Sequence, residues 1–91
     1  MHERGVASDL VRAAGVVAVN EGAIRVRSIR VQIGGLSHID PDSLAAQVSW
    51  HAQGTIVEGA RGIVQREAMA EGAMPAEQDE RVKLLSVDLE E

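Results

Sequence analysis

The 91-residue sequence contains no cysteine, no phenylalanine and no tyrosine, and only two prolines. Without cysteine, disulfides and thiolate metal sites are excluded. Trp50 is the one aromatic residue, so the core has to be built from Val, Ile, Leu and Ala. Positive charge is also scarce, with 9 Lys and Arg against 14 Asp and Glu and a net charge of −5. Phosphate binding needs a basic face, so this balance argues against nucleic acid as the main partner. No apolar stretch is long enough to span a membrane. The amino terminus lacks the basic-then-apolar pattern of a signal peptide. A single cytoplasmic domain over residues 1–91 is the expectation.

Catalytic signatures are missing as well. There is no glycine-rich phosphate loop and no nucleophile elbow. Ser37 and Ser43 fit a turn and a helix start. The acidic clusters "AEQDE" and "DLEE" read as solvated ends. The chain is therefore not expected to be an enzyme.

What is present is well patterned. Val6, Leu10, Ala13, Ala14 and Val17 recur at helical spacing, predicting a helix from Arg4 to Glu21 stopped by Gly22. Ile29, Val31 and Ile33 alternate with Ser28, Arg30 and Gln32, which predicts a strand ended by Gly34 and Gly35. Next comes "IDPDSL", a strong helix start: Asp40 caps, Pro41 fits the first helical position, and Asp42 favours the positive end of the dipole. Leu44, Ala45, Val48 and Ala52 share one face of that helix, and Trp50 falls roughly opposite. "GARGIVQREAM" reads as a second strand weakened by its glycines. Residues 69–80 form a small, acidic connector interrupted by Pro75. "RVKLLSVDLEE" is the third strand, with Leu85, Val87 and Leu89 on one face. The order helix-strand-helix-strand-loop-strand predicts a two-layer α/β sandwich. Two helices cover one face of a three-stranded mixed sheet, with the first strand central.

The chain opens "MHE". A free terminal amine, the backbone nitrogen of His2 and its imidazole close five- and six-membered chelate rings on one metal ion. A deprotonated amide from Glu3 completes a plane of four nitrogens. Such a donor set suits Ni(II) or Cu(II) and does not suit tetrahedral Zn(II). Binding requires loss of protons, so affinity falls with acid. The competing view is that His2 is an ordinary chain-end residue. His38 in the turn and His51 on the second helix read as ordinary histidines. Trp50 either packs against the first helix or anchors a partner.

Several stretches together resemble the HypA/HybF family of nickel-insertion accessory proteins for [NiFe]-hydrogenase. They are the opening "MHE", "IRVQIGGLSHIDPDSL", "GTIVEGA" and the closing "LLSVDLEE". The resemblance implies a nickel metallochaperone with Ni(II) held by Met1, His2 and Glu3. Asp40, in a turn that approaches the site, is expected to support the ligands from behind. The resemblance also implies docking of a HypB-like GTPase on Glu3 and the exposed side of the first helix, with delivery to a hydrogenase large subunit. Trp50 is a further partner-binding candidate. Family members carry a zinc domain built on two CxxC pairs between the second and third strands. Here only residues 69–80 stand in its place, so no zinc is expected. Gly35 also stands where the family usually has Glu. A connector of this length lets the third strand pair with a neighbouring copy, giving a swapped homodimer. The rival expectation is an interaction or scaffold module that keeps the fold without handling metal.

Overall fold

A computed structural model describes residues 3–35, 37–67 and 82–91. The elements are α1 (Glu3–Asn20), β1 (Arg25–Ile33), α2 (Pro41–Ala52), β2 (Arg61–Arg66) and β3 (Val82–Glu90). The strands lie in the order β2-β1-β3. β1 pairs parallel with β2 and antiparallel with β3, so the sheet is mixed and its first strand is central. The expected architecture is the observed one. The connector at 69–80 lies outside the described residues. No helix among the described residues is long and apolar enough to cross a membrane.

β1 pairs on both edges and contributes the most buried residues of the three strands. Val26, Ile29, Val31 and Ile33 are buried, while Arg25, Arg27 and Arg30 are exposed. Leu44, Val48 and Ala52 of α2 are buried, as their spacing predicts, and α2 packs against α1 and β2. Ala45 joins them against β2. A Cβ placed on Gly62 would sit 3.7 Å from both Cα and Cβ of Ala45. The glycine that weakens β2 as a strand is therefore where α2 comes down onto it. Alanine fits at this distance, but a longer side chain does not. Gly62→Leu is expected to lower stability by about 1–3 kcal/mol, and Gly62→Ala to be tolerated. Equilibrium urea unfolding of the two variants checks this.

Two expectations need correction. On α1 the buried residues are Val6, Ala7, Leu10, Val11, Ala14 and Ala18, whereas Ala13 is exposed and Val17 is 39% exposed. The helix meets two surfaces, the sheet and α2. Its buried arc is therefore turned toward Val11 and Ala18, and small residues there let the helices approach. On β3 the inward residues are Val82, Leu84, Val87 and Leu89, and Leu85 is 43% exposed. The register shifts between Arg30↔Ser86 and Val31↔Leu84, leaving Leu85 as an extra residue. Such a bulge reverses the inside–outside alternation on one side of itself.

The helices run in the same direction. Ala23 N–H donates to Ala18 O at 2.9 Å, and Val26 N–H donates to Ile56 O at 3.1 Å. A Cβ on Gly15 would lie 3.7 Å from Ile56 and 3.9 Å from Val57, in the segment following α2. The C-terminal halves of both helices thus adjoin the start of β1. Their first turns lie at the other end, beside Ile33. The lengths agree: an 18-residue helix is about 27 Å long and a 9-residue strand about 30 Å.

Candidate metal centre

The end of the molecule beside Ile33 collects the start of α1, the 34–40 loop, the start of α2 and the end of β2. Of the expected ligand residues, Glu3 is the first residue of α1. Met1 and His2 lie outside the described residues. The first amide N–H groups of a helix have no partner within it. The Glu3 amide is one of them, so its deprotonation toward a metal breaks no helical hydrogen bond. Negative charge developing there also faces the positive end of the helix dipole.

The neighbouring loop is held tightly. Ser37 N–H donates to Gly34 O at 3.1 Å, and Ile39 N–H donates to Ser37 Oγ at 3.1 Å. Ser37 and Ile39 are only 7% and 6% exposed, whereas His38 between them is exposed. Asp40 caps α2, its carboxylate accepting from Ser43 N–H at 3.1 Å. Its backbone is extended at φ −81° and ψ 121°, as an N-cap requires. Asp40 is therefore first a helix cap at this end.

Sequence reasoning missed Arg66. Its guanidinium donates to four backbone carbonyls of the loop: Gly34 O at 3.3 Å, Gly35 O at 3.5 Å, Ser37 O at 2.9 Å and Ile39 O at 3.1 Å. The signal was present in the alternation of β2. Gly62, Val64 and Arg66 pair with Ile29, Val31 and Ile33, so Arg66 sits on the covered face at the strand end. Arg66 itself is exposed there, and its guanidinium reaches the carbonyls of the loop that follows β1.

The other candidates lie elsewhere. Trp50 is 61% exposed, on the side of α2 away from its buried stripe, as the spacing predicts. His51 Nε2 and Gln47 Oε1, one turn apart on α2, are buried without hydrogen-bond partners. Each orphaned atom costs roughly 1–3 kcal/mol. Among the described residues, no three His, Asp or Glu side chains gather to hold a metal ion. An open apolar groove is lined by Arg12, Gly15, Val16, Val19, Asn20 and Ile56. It lies along the C-terminal half of α1, away from the Glu3 end.

Comparison with known proteins places these features in a family. Residues 1–83 match the family model described as "HypA: Hydrogenase/urease nickel incorporation, metallochaperone, hypA". The hydrogenase maturation factor HypA of Deinococcus radiodurans is 38% identical over 66 residues, covering 72% of this chain and 55% of that protein. The HypA of Methanosarcina mazei is 35% identical over 65 residues, covering 71% of this chain and 47% of its own length. The chain thus spans about half the length of the relatives it matches. The fold matches the solution structure of the Ni metallochaperone HypA from Helicobacter pylori with a TM-score of 0.79 at 17% identity, covering 99% of this chain and 98% of that one. A second HypA solution structure matches at a TM-score of 0.68 and 17% identity, covering 98% and 96%. With a family model that covers most of its length and relatives above one-third identity, the chain belongs to the HypA family of nickel-incorporation metallochaperones.

Proposed function

We propose that this chain carries Ni(II) on a chelate formed by the Met1 amine, the His2 amide and imidazole, and the Glu3 amide, and delivers it during hydrogenase maturation. The observation that carries this is the opening Met1–His2–Glu3, with Glu3 in the first turn of α1, where amides have no partner within the helix. Family membership supplies the cargo. Four in-plane nitrogens favour Ni(II) over Zn(II). The protein is a carrier and not a catalyst: it orients donors, and no covalent chemistry is asked of it. Asp40, capping α2 at the same end, would support the site through its carboxylate. We assign the HypB-like GTPase to Glu3 and the outer side of α1, and a hydrogenase large subunit as the recipient. The exposed Trp50 is the natural hydrophobic anchor for a partner protein.

Calorimetric nickel titration at neutral pH tests the proposal on protein whose chain starts at Met1. One equivalent should bind, with release of protons visible as a buffer-dependent heat. His2→Ala should lose that equivalent, because it removes the imidazole and with it the six-membered ring. Equal binding by wild type and His2→Ala would sink the chelate. Partner capture independent of both His2 and nickel would then favour the scaffold role, to which the exposed Trp50 also lends itself.

A further inference from the structure

We propose that the face of the sheet turned away from the helices docks an extended, carboxylate-rich segment of a partner protein. This goes beyond the nickel reading and does not depend on it. Both helices lie on one side of the sheet: α1 packs against β1 and β3, and α2 against β2. Val26, Ile29, Val31 and Ile33 are buried on that side. The register therefore places Arg30 on the other side, together with Arg61 of β2 and Lys83 of β3. No helix among the described residues lies over it.

The charge on that side is the reverse of the charge on the whole chain. The sequence carries a net −5. The open face nevertheless holds Arg25, Arg27, Arg30, Arg61 and Lys83 against Asp88 and Glu90. Glu90 is already engaged, by Arg25 at 3.2 Å and Arg27 at 3.6 Å. Arg30, Arg61 and Lys83 are exposed and form no ion pair among the described residues. Carboxylates are in excess in this chain, yet three neighbouring cations stand without one.

The register also fixes how these cations are arranged. Arg61 pairs with Ser28, which is two residues before Arg30, and Lys83 pairs with Gln32, two residues after it. Neighbouring strands are about 4.8 Å apart and two residues of strand span about 6.6 Å, so each step is about 8 Å. The three cations thus lie on one diagonal across all three strands, with Arg30 in the middle. In an extended chain, side chains on one face recur about every 7 Å. Carboxylates at alternate positions of such a segment match the diagonal, one to each cation. Each guanidinium can take a carboxylate in a two-point fork, and the ammonium takes the third as a point charge. A nucleic acid fits the same cations less well. Its charge is continuous, so a strand that runs past the diagonal meets the acid-rich remainder of the chain. A short acidic segment does not. Complementarity of this kind sets orientation and encounter rate more than tightness.

Fluorescence anisotropy of a dye-labelled peptide of alternating Glu and Ser, titrated with the nickel-free full chain at neutral pH, tests this. Affinity should fall about tenfold in the double variant Arg30→Gln/Arg61→Gln. It should fall about threefold or more when salt is raised from about 50 to about 200 mM. The melting temperature should stay at the wild-type value, because both side chains are exposed. Arg12→Gln removes an exposed cation from α1 and should leave peptide affinity within about twofold of wild type. No binding by the wild type, no loss in the double variant, or an equal loss in Arg12→Gln would overturn the proposal. Tighter binding of duplex DNA of the same charge would overturn it in favour of nucleic acid. Dimerisation of the wild type that the double variant abolishes would overturn it in favour of a second copy of this chain. Because no metal is present, a failure of the terminal chelate does not change any of these results.

Discussion

Acetylation of the Met1 amine is expected to lower nickel affinity by about 100-fold or more, equivalent to about 2.8 kcal/mol. The modification leaves every side chain in place. It converts the Met1 nitrogen from an amine into an amide and leaves no free amine at the chain start. The five-membered ring that joins the amine to the His2 amide is lost. What remains is an imidazole and amides that no terminal amine anchors. α1 runs from Glu3 among the described residues, beyond this change, so the far-ultraviolet circular dichroism should barely move. Competition against a chromogenic chelator at neutral pH measures the effect. The same assay run at falling pH should show steep weakening of the unmodified protein, because amine, imidazole and amides all compete with protons for the metal. An acetylated protein that binds within threefold of the unmodified one would show that the terminal amine is not a ligand.

Arg66→Leu is the second large effect, this time on stability. The substitution removes a charged donor from four carbonyls and puts nothing polar in its place. The two shortest bonds go to Ser37 and Ile39, which are buried, so their carbonyls are poorly placed to find water. A hydrogen bond to a charged group contributes about 1.5–3 kcal/mol. Arg66 is itself an exposed residue, which discounts the total. We expect a loss of about 2–3 kcal/mol, or a fall of about 10–20 °C in melting temperature for a domain of this size. Urea unfolding measures it, and amide hydrogen exchange at Ser37 and Ile39 should report local opening of the loop. A loss below about 0.5 kcal/mol would mean that the carbonyls are hydrated in the variant and that the guanidinium does not hold the loop.

Much of the fold was legible because its central pieces obey one period at a time. β1 alternates strictly from Ser28 to Ile33, beyond a register shift at Arg27, and the Asp40–Pro41–Asp42 start of α2 carries cap, first-turn proline and dipole charge together. The buried face of α1 was harder to read. Helical spacing gives a stripe, but its direction depends on a second helix that the local sequence does not describe. The inward face of β3 was misread for a related reason. Parity carries along a strand only while the register holds, and the extra residue at Leu85 breaks it. Trp50 was legible from helical spacing, which sets it opposite Leu44, Val48 and Ala52, and it is exposed. At the site, the roles divided by chemistry. The proposed chelate of backbone nitrogens rests on residue order, with only Glu3 among the described residues. Arg66 required knowledge of strand pairing, because its acceptors lie 27 to 32 residues away in sequence.

The pairing at the end of the sheet also bears on how such a chain tolerates insertion. Arg66 ends β2 and Val82 begins β3, and both sit opposite Ile33. Two strands flanking a common neighbour are separated by about 10 Å. Whatever joins them therefore leaves and re-enters the sheet at adjacent posts. Closing a longer loop between such posts costs only about 0.6 kcal/mol for each doubling of its length. A whole module can be gained or shed there without disturbing a strand. Relatives about one-third to one-half longer can thus share this αβαββ frame, with their additional residues accommodated between β2 and β3.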